Sequence, residues 1–201
     1  MSGNLIVIRK YEKTPDGYLR VDVTSHNSVV REYLSPFFLG PVTSPDGVES
    51  LVMENIWQFS KVYSDMVDAN NNPTESFFAW RNNGFADSVA HRHPHNGKPL
   101  YSWWGGQKLG YIDARKKIYV PCYAYCVYNK PDALNTIKNK LALGYNIALA
   151  DFDGYNFKAF GLSYEDVLNN PHKIMGHGHV LAMMIERPDL VDTLLKNSSL
   201  A

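Results

Sequence analysis

Residues 50–67 carry the clearest helical periodicity in the chain, and this pattern sets the expected fold class. Their apolar or small side chains recur at helical spacing, at Met53, Ile56, Trp57, Ser60 and Tyr63. Such spacing places them on one face of a helix, which the pattern predicts over this segment. Further periodic or capped segments predict helices over about 75–82, 107–128 (interrupted near Pro121), 131–143, 177–186 and 188–195. The chain is therefore expected to be mainly helical.

Two short extended segments near the N-terminus predict a β-hairpin. Residues 5–8 are apolar, residues 14–17 contain the turn-forming Pro-Asp-Gly, and residues 18–23 alternate in polarity. A further strand is expected over about 145–150. We expect an α+β, mainly α fold with a single domain over 1–201. Within it, the hairpin would be an appendage over 1–25, and 70–99 would be a loop-rich insert.

The charge balance excludes one class of nucleic-acid-binding protein. The 201 residues include 20 Lys and Arg against 20 Asp and Glu, so the formal net charge is zero. A protein that holds nucleic acid on a broad basic face needs an excess of cations. A local basic pocket is compatible with the balance.

Cysteine usage and hydropathy predict a cytoplasmic protein. Cys122 and Cys126 are four residues apart in an apolar segment, where they would share a helix face. This indicates packing rather than a disulfide scaffold. No apolar run approaches the roughly 18 residues of a membrane-spanning helix, and the first residues lack the pattern of a signal peptide. We expect no membrane among the partners.

Glu54, Gln58 and Lys61 are spaced four and three residues apart, so on a helix they form one polar stripe with Trp57 beside it. In one interpretation the stripe lines a pocket. Partial burial would then make Lys61 a nucleophile toward an anomeric carbon, and Glu54 would move protons or stabilise positive charge. In the other interpretation the stripe is a solvent-exposed face whose Glu–Lys pairing only supports the helix.

The same segment resembles the hallmark sequence of the NADAR (YbiA-like) family, approximately Ser-Val-Glu-x-x-Phe-Gln-x-x-Lys. Here it is Ser-Leu-Val-Met-Glu-Asn-Ile-Trp-Gln-Phe-Ser-Lys over 50–61. Three further segments are similar to that family in the same order, over 34–41 (Leu-Ser-Pro-Phe-Phe-Leu-Gly-Pro), 104–112 (Trp-Gly-Gly-Gln-Lys-Leu-Gly-Tyr-Ile) and 183–187 (Met-Met-Ile-Glu-Arg). Two features depart from it. Gly105 replaces an acidic residue, and the segment 151–155 lacks the tryptophan of the family's late Asp-x-x-Trp-Gly element.

The resemblance implies a compact YbiA-like helical domain and an N-glycosidase. Its substrate would be an ADP-ribosyl compound or a ribosyl-nucleotide, and Lys61 would form a transient imine with the sugar. Glu54 or Asp153 would stabilise the oxocarbenium-like carbon that develops as the base leaves. The residues expected to bind the substrate by stacking, hydrogen bonds or phosphate contacts are Trp57, Gln58, Trp104, Lys108, Arg92, His177 and Arg187.

Other functions remain open at this point. No cofactor is expected, and the substrate could be ADP-ribosylated DNA or RNA held at a single nucleotide. The alternative to an enzyme is a non-catalytic ADP-ribose or nucleotide-binding protein, which would keep the aromatic and cationic pocket without needing Lys61. A third interpretation is an interaction protein whose aromatic residues all lie in the core.

Two glycine- or histidine-rich segments invite a ligand-binding interpretation. Alternating histidines over 91–95 match no zinc-ligand spacing, so no metal site is expected. Gly176, His177 and Gly178 precede an apolar helix and would either present backbone amides and His177 to an anion or only let the chain turn tightly.

Asp153 lies in a segment after a predicted strand, where a catalytic carboxylate and an ordinary turn use the same residue types.

Overall fold

A computed structural model describes residues 2–200, which form the mixed α+β, mainly α fold that the sequence predicts. The strands are β1 (Leu5–Arg9), β2 (Tyr18–Asp22), β3 (Val42–Thr43), β4 (Glu49–Ser50), β5 (Lys61–Val62), β6 (Tyr101–Trp104), β7 (Gln107–Leu109) and β8 (Asn146–Asp151). The helices are α1 (Arg31–Leu34), α2 (Met53–Phe59), α3 (Glu75–Ala86), α4 (Tyr111–Ala114), α5 (Val120–Asn129), α6 (Asp132–Ala142), α7 (Tyr164–Asn169), α8 (His177–Glu186) and α9 (Pro188–Lys196). A π-helical turn, Arg115–Tyr119, joins α4 to α5, and 3-10 turns lie at Ser64–Met66 and Phe157–Phe160.

The two N-terminal strands belong to a three-stranded parallel sheet, so the predicted hairpin over 1–25 is wrong. β8 lies in the middle and pairs in parallel with β1 on one side and with β2 on the other. Leu5 stands opposite Ile147 in this register. The predicted turn does form, with Gly17 at a φ of 78°. The chain beyond it returns to β8 rather than to β1.

The composition of β1 explains this difference. Its first four residues are all apolar and all buried. Leu5 and Val7 face the main core, whereas Ile6 and Ile8 face a smaller apolar cluster on the other side of the sheet. A strand covered on both faces is a continuous apolar run, which is typical of parallel sheets, whereas a hairpin arm alternates. β1 is therefore part of the core and not an appendage.

The helix predicted over 50–67 is shorter in the structure, because α2 ends at Phe59. The hydroxyl of Ser60 donates a hydrogen bond to the carbonyl of Ile56 at 2.5 Å, which closes the last turn. Lys61 then leaves the helix and pairs with Ser102 of β6. The helical spacing of side chains thus continues in the sequence beyond Phe59, although the backbone is extended at Lys61 and Val62.

The helix predicted over 107–128 begins later than expected. Gly105 and Gly106, with φ values of 53° and 79°, form a tight turn that joins β6 to β7. Glycine adopts two successive positive φ angles without steric cost, which is why Gly-Gly is a hairpin signal. Helical structure starts at Tyr111, and the predicted interruption near Pro121 is confirmed as the π-helical turn before it. Proline has no N–H to donate there.

The remaining helices lie close to their predicted bounds, and α5 and α8 supply much of the core. α6, α8 and α9 match the predicted segments to about one residue at each end. α3 extends to Ala86, so the loop parts of the 70–99 segment are residues 70–74 and 87–99. Cys122 and Cys126 are free and buried in α5, as expected of packing residues. Among residues 2–200, no helix combines the length and the apolar character needed to cross a membrane.

Candidate active site

A cavity of about 540 Å³ lies between α2 and the carboxyl ends of the parallel strands. The segments after β2 and β8 line it from the sheet, and Tyr111, Arg115 and Tyr119 line it from the helical segment that contains the π turn. Loops that follow parallel strands converge at one edge of the sheet, which is where ligands of such folds commonly bind. The volume is suitable for a molecule the size of a nucleotide.

The polar stripe of α2 faces this cavity. Glu54 and Gln58 are only 6% and 7% exposed. The amide of Gln58 donates from Nε2 to Glu54 Oε1 at 2.7 Å, and Lys61 Nζ donates to Gln58 Oε1 at 2.6 Å. The interpretation as a pocket wall is therefore confirmed, and the interpretation as a solvent-exposed face is wrong. Lys61 reaches the stripe although it belongs to β5, because it follows the end of α2 directly.

Burial changes the acid–base properties of both ends of the stripe. Burial lowers the pKa of Lys61 to about 8, although the nearby Glu54 opposes the change. Burial also raises the pKa of Glu54, against the hydrogen bond from Gln58 and the charges of Lys61, His177 and Arg92. Both side chains are thus shifted toward their neutral forms. An amine whose pKa is lowered and a carboxyl group whose pKa is raised, bridged by Gln58, form an arrangement that acid–base chemistry uses.

Trp57 supplies an aromatic surface beside the stripe. Its half-buried ring lies 5.1 Å from Tyr119 and 6.5 Å from Tyr111, measured between ring centroids. Lys61 Nζ lies 4.8 Å from the centroid of the Trp57 ring. This cluster holds the lysine and the tryptophan together at the cavity wall, as the sequence predicted.

Two carboxyl groups enter the cavity from the end of β8. Asp151 is 2% exposed, and its Oδ2 accepts a hydrogen bond from the backbone N–H of Gly178 at 2.9 Å. Asp153 is half-buried. Burial and the charge of Asp151 raise the pKa of Asp153, against the opposing charges of Arg92 and His177. The predicted catalytic carboxylate Asp153 does line the cavity.

His177 lines the same cavity, but its ring nitrogens are turned toward the protein. Nε2 lies 2.9 Å from the carbonyl of Val23, and Nδ1 lies 3.4 Å from Asp151 Oδ1. The start of α8 presents the backbone N–H of Gly178 to an acidic side chain, the chain's own Asp151. A Cβ atom on Gly176 would lie 2.1 Å from Asp151 Oδ2. The backbone of Gly176 is extended, a conformation that any residue adopts, so its small size serves the close approach of Asp151 rather than a tight turn.

Arg92 stands at the mouth of the cavity. Its guanidinium lies 5.8 Å from the centroid of Phe152, and His26 packs edge-on against the same ring at 5.2 Å. Within residues 2–200, Arg92 forms neither an ion pair nor a hydrogen bond. Its charge is therefore uncommitted and could bind a phosphate, as predicted.

The comparison with known families adds one assignment. A profile of a family of unknown function (DUF6939) matches residues 7–157. The chain belongs to this family. The matched range includes the α2 stripe and both carboxyl groups after β8, but not the first turn of α8. No curated protein and no solved structure matches the chain.

Three residues predicted to bind the substrate lie outside the cavity of this DUF6939 chain. Trp104 is 4% exposed, and its Nε1 donates to a backbone carbonyl in the C-terminal segment at 2.9 Å, so it is a core residue. Lys108 is exposed on β7. Arg187 pairs with Glu165 at 2.7 Å and with Asp189 at 2.9 Å. These three predictions are wrong, because the first two residues lie on a hairpin and the third is neutralised by two carboxylates.

Sequence reasoning missed Arg115, Tyr111 and Tyr119 as residues of the site. Arg115 is 2% exposed and donates from Nη2 to the Tyr111 hydroxyl at 2.8 Å. Its other hydrogen bonds go to backbone carbonyls within 167–173, which fixes that segment against the cavity. The signal that could have found them is their four-residue spacing, which places all three on one side of a helical segment.

The histidines of the 91–95 loop have protein partners. His91 Nε2 lies 2.7 Å from Asp87, and the ring of His95 stacks on Tyr63 with centroids 3.8 Å apart. His93 lines the cavity mouth. In the part of the chain that the structure describes, no three His, Cys, Asp or Glu side chains come together as a metal site requires.

Proposed function

We propose that this chain is an N-glycosidase that hydrolyses the N-glycosidic bond of an ADP-ribosyl or ribosyl-nucleotide substrate. The observation that carries the proposal is the amine of Lys61, which lies in a nucleotide-sized cavity with its pKa lowered to about 8 by burial. At pH 7 about a tenth of such an amine is neutral. Only the neutral amine has the lone pair that attacks an electrophilic carbon.

The proposed reaction uses the residues around this amine. The lone pair of Lys61 Nζ forms a bond to C1 of the ribose, and the bond from C1 to the base nitrogen breaks with its electron pair. The departing nitrogen takes a proton from a carboxylic acid, Glu54 or Asp153. Opening of the ribose ring converts the adduct into a protonated imine, as the ring oxygen takes one of the two protons of Nζ. Water then hydrolyses the imine, which releases the sugar, restores the amine and returns a proton to the carboxylate.

The segments that resemble the NADAR family support this proposal by their positions. The 50–61 segment supplies Glu54, Gln58 and Lys61 to the cavity, and the 34–41 and 104–112 segments also contribute lining residues. The 183–187 segment does not contribute to the lining. The segment that resembles the family's hallmark sequence is thus the one that brings an amine and a carboxyl group to the cavity.

The cavity also offers groups for the rest of a nucleotide. Trp57 is an aromatic wall, and Arg92 is an uncommitted cation at the mouth. Aromatic rings stack on bases, and guanidinium groups bind phosphates. Since the chain has no net charge, we propose that any nucleic acid is held at a single ADP-ribosylated nucleotide. The chemistry needs no cofactor. The two free, buried thiols are suited to the reducing cytoplasm, where we propose that the protein acts.

The direct test compares wild-type protein with Lys61→Ala on ADP-ribosylated DNA, RNA and protein substrates. We expect release of ADP-ribose by the wild type and a loss of at least about 10³-fold in turnover in the variant, because the nucleophile is gone. Lys108→Ala is the matched control, since Lys108 is exposed outside the cavity. Equal turnover by Lys61→Ala would contradict the proposal.

The same pair of proteins distinguishes an enzyme from the non-catalytic alternative. A nucleotide-binding protein would show no turnover in the wild type and nearly equal ADP-ribose affinity in both proteins. An enzyme would show turnover that depends on Lys61, while the variant still binds. Calorimetry with ADP-ribose, performed alongside the release assay, distinguishes the two.

A further inference from the structure

Two carboxyl groups at the end of β8 meet the first turn of α8, and their surroundings differ. Both lie against Gly176, where a Cβ atom would be 2.1 Å from Asp151 Oδ2 and 3.0 Å from the Cβ of Asp153. Gly178 is similarly close, because its N–H donates to Asp151 Oδ2 at 2.9 Å. Glycine at 176 thus allows a helix N-terminus and two acidic side chains to share one small volume.

Asp151 is anchored by contacts that favour a carboxylate. Oδ2 accepts a backbone N–H at the positive end of α8. Oδ1 faces His177 Nδ1 at 3.4 Å. A carbonyl oxygen can only accept, so Nε2 of His177 must carry the proton it shares with Val23 at 2.9 Å. Nδ1, on the other side of the ring, faces the Asp151 carboxyl group, so the ring is held between Val23 and Asp151.

Asp153 has no such anchors. Among residues 2–200, no group donates a hydrogen bond to its carboxyl oxygens. The charged groups that face it are Asp151 of β8, Arg92 of the mouth loop, His177 of α8 and Arg9 of β1. Burial and the Asp151 charge raise the pKa of Asp153, and the three cations oppose this. Two neighbouring carboxyl groups in unequal environments divide into one that stays ionised and one that keeps its proton.

We propose that Asp151 is a positioning residue that keeps Asp153 protonated, and that Asp153 is the acid that protonates the departing base. The inference rests on the proposed N-glycosidase function. As the bond from C1 to the base nitrogen breaks, the proton of the Asp153 carboxyl group passes to that nitrogen. The carboxylate that remains regains its proton from the water that hydrolyses the Lys61 adduct. Glu54 is then not needed as the acid. It holds Gln58, which in turn accepts a hydrogen bond from the Lys61 amine.

The protonation of Asp153 is tested without any substrate. Titration of the full chain with ¹³C-labelled aspartate, followed by NMR, should show Asp153 titrating above the ordinary aspartate range. In Asp151→Asn this titration should move to lower pH, because the neighbouring negative charge is gone. Asp192→Asn, an exposed carboxylate on α9, should leave it unchanged. Titration of wild-type Asp153 in the ordinary range would overturn the pairing whether or not the variant folds. No change in a folded Asp151→Asn, with the fold checked by circular dichroism, would overturn it as well.

The catalytic part is tested on the substrate that wild-type protein turns over. Asp153→Asn should lose about 10²-fold or more in kcat, which is typical for loss of a general acid. Asp151→Asn should lose activity progressively as the pH rises, since Asp153 then gives up its proton earlier. A pH-independent loss in Asp151→Asn would show a structural role instead. If wild-type protein turns over no substrate, the proposed function fails while the titration still decides the pairing.

Discussion

Trp57 and Lys61 stand four residues apart, and so do Trp104 and Lys108, yet the two pairs occupy different environments. At the end of α2, Lys61 Nζ lies 4.8 Å from the Trp57 ring, and both side chains line the cavity. On the β6–β7 hairpin, Trp104 turns into the core while Lys108 is exposed. A spacing of four brings side chains together on a helix and separates them across a two-residue turn. The same spacing therefore brings two side chains together at the end of α2, which Lys61 follows closely, but not across the β6–β7 turn.

The largest expected effect is a difference in protein stability between variants of the two tryptophans. Trp104→Ala should lower the free energy of unfolding by about 3–5 kcal/mol, because it removes a buried indole and its hydrogen bond. Urea denaturation monitored by circular dichroism measures the change. Trp57→Ala, at a half-buried position, is the matched control and should lose less. A stable Trp104→Ala protein that no longer binds ADP-ribose would reverse the comparison.

The next effect is a difference between variants of the two lysines in how protein stability depends on pH. In the folded protein the pKa of Lys61 is about 8, whereas the ordinary pKa of a lysine side chain is 10.5. The unfolded state thus binds more protons between these values, and the free energy of unfolding rises with pH there. Relative to Lys61→Met, wild-type protein should gain about 2 kcal/mol between pH 7 and pH 10. Lys108→Met should follow the wild type. Parallel curves for the wild type and Lys61→Met would show that Lys61 is not desolvated.

A smaller effect concerns the affinity for a nucleotide. Trp57→Phe should keep most of the aromatic surface, whereas Trp57→Ala should weaken ADP-ribose binding about tenfold, which is the usual range for one stacked base. Isothermal titration calorimetry measures both. Unchanged affinity in Trp57→Ala would place the base elsewhere in the cavity and remove this ring from the proposed site.

The smallest effects are expected at the residues outside the cavity. Lys108→Ala and Arg187→Ala should change turnover by less than about twofold, because exposed charges and exposed ion pairs contribute little. The release assay measures both variants beside the wild type. A large loss of turnover in either one, with the fold intact, would mean that a surface outside the cavity takes part in binding the substrate.

The α2 stripe could be predicted from the sequence because its contacts are local. Glu54, Gln58 and Lys61 are neighbours along one segment, so their spacing alone places them together. The prediction survived although the helix ended at Phe59, since Lys61 follows it by only two residues. The predicted helix over 107–128 does not include the β6–β7 hairpin, although the two glycines at 105 and 106 indicate a turn.

The sheet edge could not be predicted in the same way. β1 and β2 are neighbours along the chain, but each pairs with β8, so Leu5 meets Ile147 from the far end of the sequence. The residue types around Asp151 predict only a turn, whereas its pairing with His177 needs the packing of α8 against the sheet. Contacts of this kind are set by tertiary structure and leave no spacing signal.

The central claim is that the Lys61 amine bonds to the sugar carbon, and reductive trapping tests it most directly. Wild-type protein is incubated with the substrate it turns over and with sodium cyanoborohydride, which reduces an imine to a stable secondary amine. Mass spectrometry of the digested protein should locate a ribose-containing adduct on Lys61, formed faster as the pH rises toward 8 and absent in Lys61→Ala. Turnover without any adduct, or an adduct on a different lysine, would contradict the account.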